Sequence, residues 1–318
     1  MTNLLLSANV VLPLFLLMSL GYILKLTGLL DGVVLKKMNA TVFKVFLPAL
    51  IIYNVYTSDI SEVFDAKLLA YSIACVVGSF LFLMLLIPML EKNNRKRGVI
   101  IQGIFRSNFV IFGVPVCLSL YNNEIPGKVA VLIAVIVPIF NFLSVIALES
   151  FRQETDSDSK TSKKKEIIKG IITNPLIISS AIGLLILFSG IKLPLVIEET
   201  LSDVAGIATP LALIILGASM NFGSVSSNLR HLIMVLSGKL IILPAIFLSV
   251  AIFIGFRSVD LAILLTLFAS PTAVSSFTMA QQMDADDELA GQIVVLGTCL
   301  CLITMFLWLF ILKQTALI

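Results

Sequence analysis

Apolar runs of about twenty residues recur along this chain between short polar stretches. We count ten, over residues 8–27, 37–57, 66–90, 98–121, 127–149, 168–190, 196–220, 230–254, 259–283 and 288–312. A bilayer core about 30 Å thick is crossed by about 20 helical residues, so each run predicts one membrane-spanning helix. One stretch is strongly polar: residues 151–165 read FRQETDSDSKTSKKK. It divides the predicted helices five from five. The pattern predicts an all-α polytopic membrane protein with one unit over 1–150, a cytoplasmic linker over 151–167 and a second unit over 168–318.

The two units look alike. Pro13, Gly21, Gly28 and Pro48 recur as Pro175, Gly183, Gly190 and Pro210, all at one offset of 162 residues. Polarity repeats as well, since predicted helices 2, 4, 7 and 9 are the least apolar. A unit of five helices is odd in number, so its second copy enters the membrane upside down. The expectation is a 5+5 inverted repeat.

Composition agrees with the pattern: 58% of residues are AVILMFWYC and 13% are charged, with mean hydropathy +1.07. A soluble fold this apolar could not cover its own core. Charge then sets an orientation. With the N-terminus outside, 14 Lys and Arg fall on the inner face and 5 on the outer. Inner faces carry the excess of Lys and Arg, so both termini are expected outside, in the plasma membrane, with the linker inside. No Lys or Arg precedes Lys25, so no cleaved signal peptide is expected. A net charge of +3 argues for no nucleic-acid partner, and the bilayer is the expected surroundings. Cys75, Cys117, Cys299 and Cys301 sit in apolar runs and offer no disulfide framework. With His231 as the single histidine, no HExxH metal site exists, and no DDxxD, GxSxG or nucleotide-binding glycine loop is present. An intramembrane enzyme is therefore disfavoured, and no cofactor or metal is expected.

Candidate chemistry lies where helices 4 and 9 carry helix breakers near mid-membrane. Helix 4 holds Asn108, Gly113 and Pro115; helix 9 holds Pro271 among Ser270, Thr272, Ser275, Ser276 and Thr278. Proline removes a backbone bond and clashes with the preceding turn. The freed groups cannot face lipid, so such breaks belong in protein or at a watery cavity. Half-helix N-termini there carry partial positive charge that suits an anion. A simple proline kink is the plain alternative, and the paired positions weigh against it. Lys44, Arg106 and Lys239 lie deep in predicted helices. Each either faces a cavity or snorkels to the inner surface, and snorkelling is the expectation for Lys239. Asp203 is the one deep acidic residue, so the paired carboxylates of a cation antiporter are missing. Asn54, Asn141 and Gln102 either line a path or bond between helices.

Asn108-x-x-x-x-Gly113-x-Pro115, Pro271-x-x-Val274-x-x-Phe277-x-x-Ala280, the opening LPLFLLMSLGYILKLTGLL and FLPALIIYNV around Pro48 resemble the auxin efflux carrier family of membrane transport proteins. The resemblance runs over nearly the whole chain. It implies a fold related to bile acid and sodium–proton transporters, whose fourth and ninth helices cross at broken centres. It also implies that Asn108 helps hold a substrate carboxylate. The short linker departs from the long regulatory loop of many plant members. The function expected is a secondary transporter for small organic anions, auxin-like or a dicarboxylate such as malate, working by alternating access. Substrate contacts are expected from Asn108, Gly113, Pro115, Ser270, Pro271 and Thr272, and electrostatic or coupling roles from Lys44, Arg106 or Asp203. A sodium- or proton-coupled carrier of the same fold is the rival, a channel or receptor a weaker one, and a homodimer stays open.

Overall fold

The computed structural model describes residues 2–58, 65–121, 126–152 and 160–318, and among these every regular element is helical. The first part of the chain forms α1 (Thr2–Leu26), α2 (Gly32–Thr41), α3 (Leu47–Tyr56), α4 (Ala66–Leu90), α5 (Asn94–Phe105), α6 (Val114–Tyr121) and α7 (Pro126–Ser150). The second forms α8 (Lys160–Ile172), α9 (Pro175–Ser189), α10 (Leu195–Ser219), α11 (Leu229–Ser237), α12 (Leu243–Ile254), α13 (Ser258–Ala269), α14 (Ser275–Gln282) and α15 (Asp287–Gln314). Seven helical stretches are long and apolar enough to cross a membrane, and the bent pair α8–α9 makes an eighth. Residues 12–26 and 258–269 are apolar but shorter.

Side-chain caps start several helices. The Asp31 carboxylate accepts from the Val33 and Val34 amides, Asp65 from Leu68, Asn174 from Leu176 and Asp286 from Leu289. Each satisfies donors that have no partner within the first turn. Helix α2 thus begins at Gly32, five residues before the apolar run suggests, because Asp31 caps it. Helix α8 begins at Lys160, inside the stretch read as linker; residues 153–159 of that stretch lie outside those described. The predicted helix over 168–190 is bent by 46° between α8 and α9, where Asn174 and Pro175 start a new helix.

Three π-helical turns, Val42–Phe46, Phe109–Gly113 and Gly238–Ile242, each end two residues before a proline: Pro48, Pro115 and Pro244. A proline ring clashes with the carbonyl four residues back and brings no N–H to it. Widening the turn before it gives other carbonyls an amide five residues on, as Leu47 N–H donates to Val42 and Val114 N–H to Phe109. The Leu240 carbonyl, four residues before Pro244, accepts from the Trp308 indole N–H at 3.0 Å.

Helices α5 and α13 form the centre. Every residue from Gly98 to Phe105 and from Leu261 to Ala269 is buried, and both stretches are apolar on all sides apart from Gln102 and Thr266. The periphery is apolar too: Leu85, Met89, Phe188 and Phe253 point outward, Phe253 at 91% exposure. Such a surface suits lipid and not water. Helices α1 and α10 touch backbone to backbone, since a Cβ on Gly21 would lie 1.9 Å from the Ile214 carbonyl oxygen. Helices α9 and α3 also pack closely at a glycine, where a Cβ on Gly183 would lie 3.0 Å from the Val55 Cβ and 3.4 Å from the Ile52 Cα.

Candidate functional site

Helix α5 stops at Phe105. The Arg106 amide makes the last helical bond, to Gln102 at 3.0 Å, and Arg106 itself is extended (φ −75°, ψ 137°). Helix α13 stops at Ala269, and Ser270 is extended (φ −65°, ψ 151°), as the residue before a proline prefers. The two breaks lie against each other. The Asn108 amide donates to the Pro271 carbonyl at 2.8 Å, and the Thr272 hydroxyl donates to the Gly103 carbonyl at 2.7 Å. The Gln102 side-chain amide donates to the Ser276 carbonyl at 3.1 Å. Backbone groups freed in one helix are thus satisfied by the other, which is what a break buried in protein needs. Gly113 makes this approach possible: a Cβ there would sit 2.9 Å from the Thr266 carbonyl oxygen and 3.0 Å from Ser270 Oγ.

Beside the break lies a cavity of about 90 Å³. Its walls are apolar on α3 (Leu47, Leu50, Ile51), α7 (Val137, Phe140) and α9 (Leu176). Its polar lining is Asn54, Arg106, Ser107, Asn108, Asn141 and Ser275. Arg106 and Asn108 are each 4% exposed and Ser107 is 6% exposed. The Ser107 hydroxyl and the Asn108 side-chain nitrogen have no hydrogen-bond partner among the described residues.

Of the residues expected to contact substrate, Asn108 lines the cavity. Ser270 and Thr272 direct their hydroxyls to backbone carbonyls, of Thr266 and Gly103 respectively. Gly113 and Pro271 shape the break, while Pro115 is exposed. Arg106 lines the cavity; Lys44 and Asp203 are exposed away from it. Lys239, expected to snorkel, is instead enclosed at 2% exposure, because its π-turn packs among other helices. Asn54 and Asn141 do line the cavity, whereas Gln102 bonds between helices. Ser107 and Ser275 escape sequence reasoning as liners, since nothing distinguishes them from the other serines near the breaks.

A family model described as membrane transport protein matches residues 7–309. The chain belongs to that family. An uncharacterized transporter of Methanothermobacter thermautotrophicus is 24% identical over 308 residues, covering 95% of this chain and 97% of the relative. An uncharacterized transporter of Methanocaldococcus jannaschii is 22% identical over 307 residues, covering 94% and 97%. The match thus runs over nearly the whole of this membrane transport protein.

Proposed function

We propose that this transporter carries small organic anions across the plasma membrane by alternating access, with the cavity at the two breaks as its binding site. The observation that carries the reading is the pair of orphaned donors on Ser107 and Asn108, beside the buried cation of Arg106. A buried donor left unpaired costs about 1–3 kcal/mol, a cost that a carboxylate in the cavity removes. Gly113, Ser270, Pro271 and Thr272 hold the shape of the break around it.

Ten spans in two inverted halves are part of the same reading. The α1–α10 and α3–α9 contacts support it, since an offset of 162 residues turns the pair Gly21–Ile214 into Gly183–Ile52. Reciprocal exchange of this kind is what a two-fold axis between halves produces. The basic asymmetry supports both termini outside and the central linker in the cytoplasm.

The test is a thermal-shift screen of organic acids on the purified protein, followed by counterflow in liposomes. A ligand that binds only the folded state raises its melting temperature. The acid that does so should also show saturable counterflow. Flux that never saturates would instead mark a channel. A response to imposed sodium or proton gradients would favour the coupled rival.

A further inference from the structure

Arg106 is a buried cation whose protein partners are all neutral. One guanidinium nitrogen donates to Asn141 Oδ1 at 2.7 Å and to Ser275 Oγ at 2.8 Å, and the other to the Met279 sulfur. No carboxylate among the described residues pairs with it. Three bonds leave two of the five guanidinium N–H donors, the Nε–H and one Nη1–H; they lie on different edges, so an incoming carboxylate takes one of them as a single charge-assisted bond. A buried charge without a counter-charge is costly, and arginine does not escape by losing its proton. Asn141 sits on α7, 35 residues away, and lines the same cavity as Arg106 and the two orphaned donors. An aspartate of nearly the same shape at 141 would pair with Arg106 outright. The amide holds the guanidinium in place and leaves its charge unspent.

We propose that the carboxylate of the transported anion is the counter-ion of Arg106, and that Asn141 is a specificity residue that anchors Arg106 without neutralising it. This rests on the anion-carrier reading above and adds which group takes the charge and which residue keeps it free. Ser275, in the first turn of α14, holds the guanidinium from the opposite break in the same neutral way. An anion thus engages α5, α7 and α14 through one charge.

The experiment uses the full-length protein in detergent, with sodium acetate, benzoate and malate as probes and sodium chloride as control. Asn141→Asp is expected to melt above the wild type without ligand, because it supplies the missing counter-charge. Its apparent affinity for the acid that stabilises the wild type should fall roughly 10–150-fold, the loss of a charge-assisted contact. Ser275→Asp offers the same carboxylate from α14 and should behave as Asn141→Asp does, which covers the case in which one variant fails to fold. Aspartate variants that bind the acid like the wild type, or that gain no resting stability, overturn this inference and leave the carrier reading standing. A wild type that none of the three acids stabilises overturns both.

Discussion

A methyl group at position 113 has nowhere to go. It would press on the Thr266 carbonyl of α13, which is backbone and cannot swing aside. Gly113→Ala should therefore cost about 1–3 kcal/mol of stability as an overpacked contact, read as a lower midpoint in thermal or denaturant unfolding. Asn108 poses the opposite case, because it lines the cavity and its side-chain nitrogen lacks a partner. Its backbone amide already ties the two breaks together, so the side chain is spare for a ligand. Asn108→Ala should leave melting near the wild-type value. Affinity for the stabilising acid should drop roughly 10–150-fold, because a charged acceptor loses its donor. Unchanged affinity with a lowered melting point would assign Asn108 a structural role only.

At the scale of elements, the prolines were legible and their consequences only partly so. Pro115 and Pro271 announce breaks in two apolar runs; the α13 break adjoins Pro271, whereas the α5 break falls at Arg106–Asn108, seven residues before Pro115. The π-turns are a quieter result of the same chemistry: Pro48, Pro115 and Pro244 each sit two residues past one. Hydropathy is blind to this, because a widened turn keeps the same residues in the same run. The partner of the Leu240 carbonyl is also invisible in sequence, since Trp308 lies 68 residues away. Trp308→Phe keeps the ring and removes the donor, so it should cost about 1–3 kcal/mol, measurable in the same unfolding assay. Most of the site was unreadable for that reason too. Arg106 is deep by position, but its neutral partners come from α7 and α14, and only packing decides which amide or hydroxyl it meets.

For the molecule as a whole, polar ties gather at the helix ends. Lys128 at the start of α7 bridges Asp260 at 2.5 Å and Asp65 at 3.4 Å, joining the starts of α13 and α4. Glu91 after α4 pairs with His231 of α11 at 2.5 Å. The Leu68 amide, followed by Lys128, holds the Asp65 carboxyl below its ordinary value despite partial burial. Burial pushes the Glu91 carboxyl up, but the Asn93 amide, His231 and Lys96 together bring it below its ordinary value. A depressed carboxyl contributes stability that is present above its unfolded value and lost as pH falls through its folded one. Melting temperature should therefore decline below about pH 4, and Asp65→Asn should flatten that decline. The orientation has its own check. Single cysteines placed in residues 153–159 of a cysteine-free variant should resist impermeant thiol reagents in intact cells, and ready labelling would invert the topology. The bonds across the two breaks carry a further consequence. Asn108 to Pro271, Thr272 to Gly103 and Gln102 to Ser276 strap two distant stretches of chain into one joint. Neither stretch can rotate alone without rupturing that strap. The joint is therefore expected to move as one piece, and the backbone hydrogen of Asn108 should be among the slowest in the protein to exchange with heavy water.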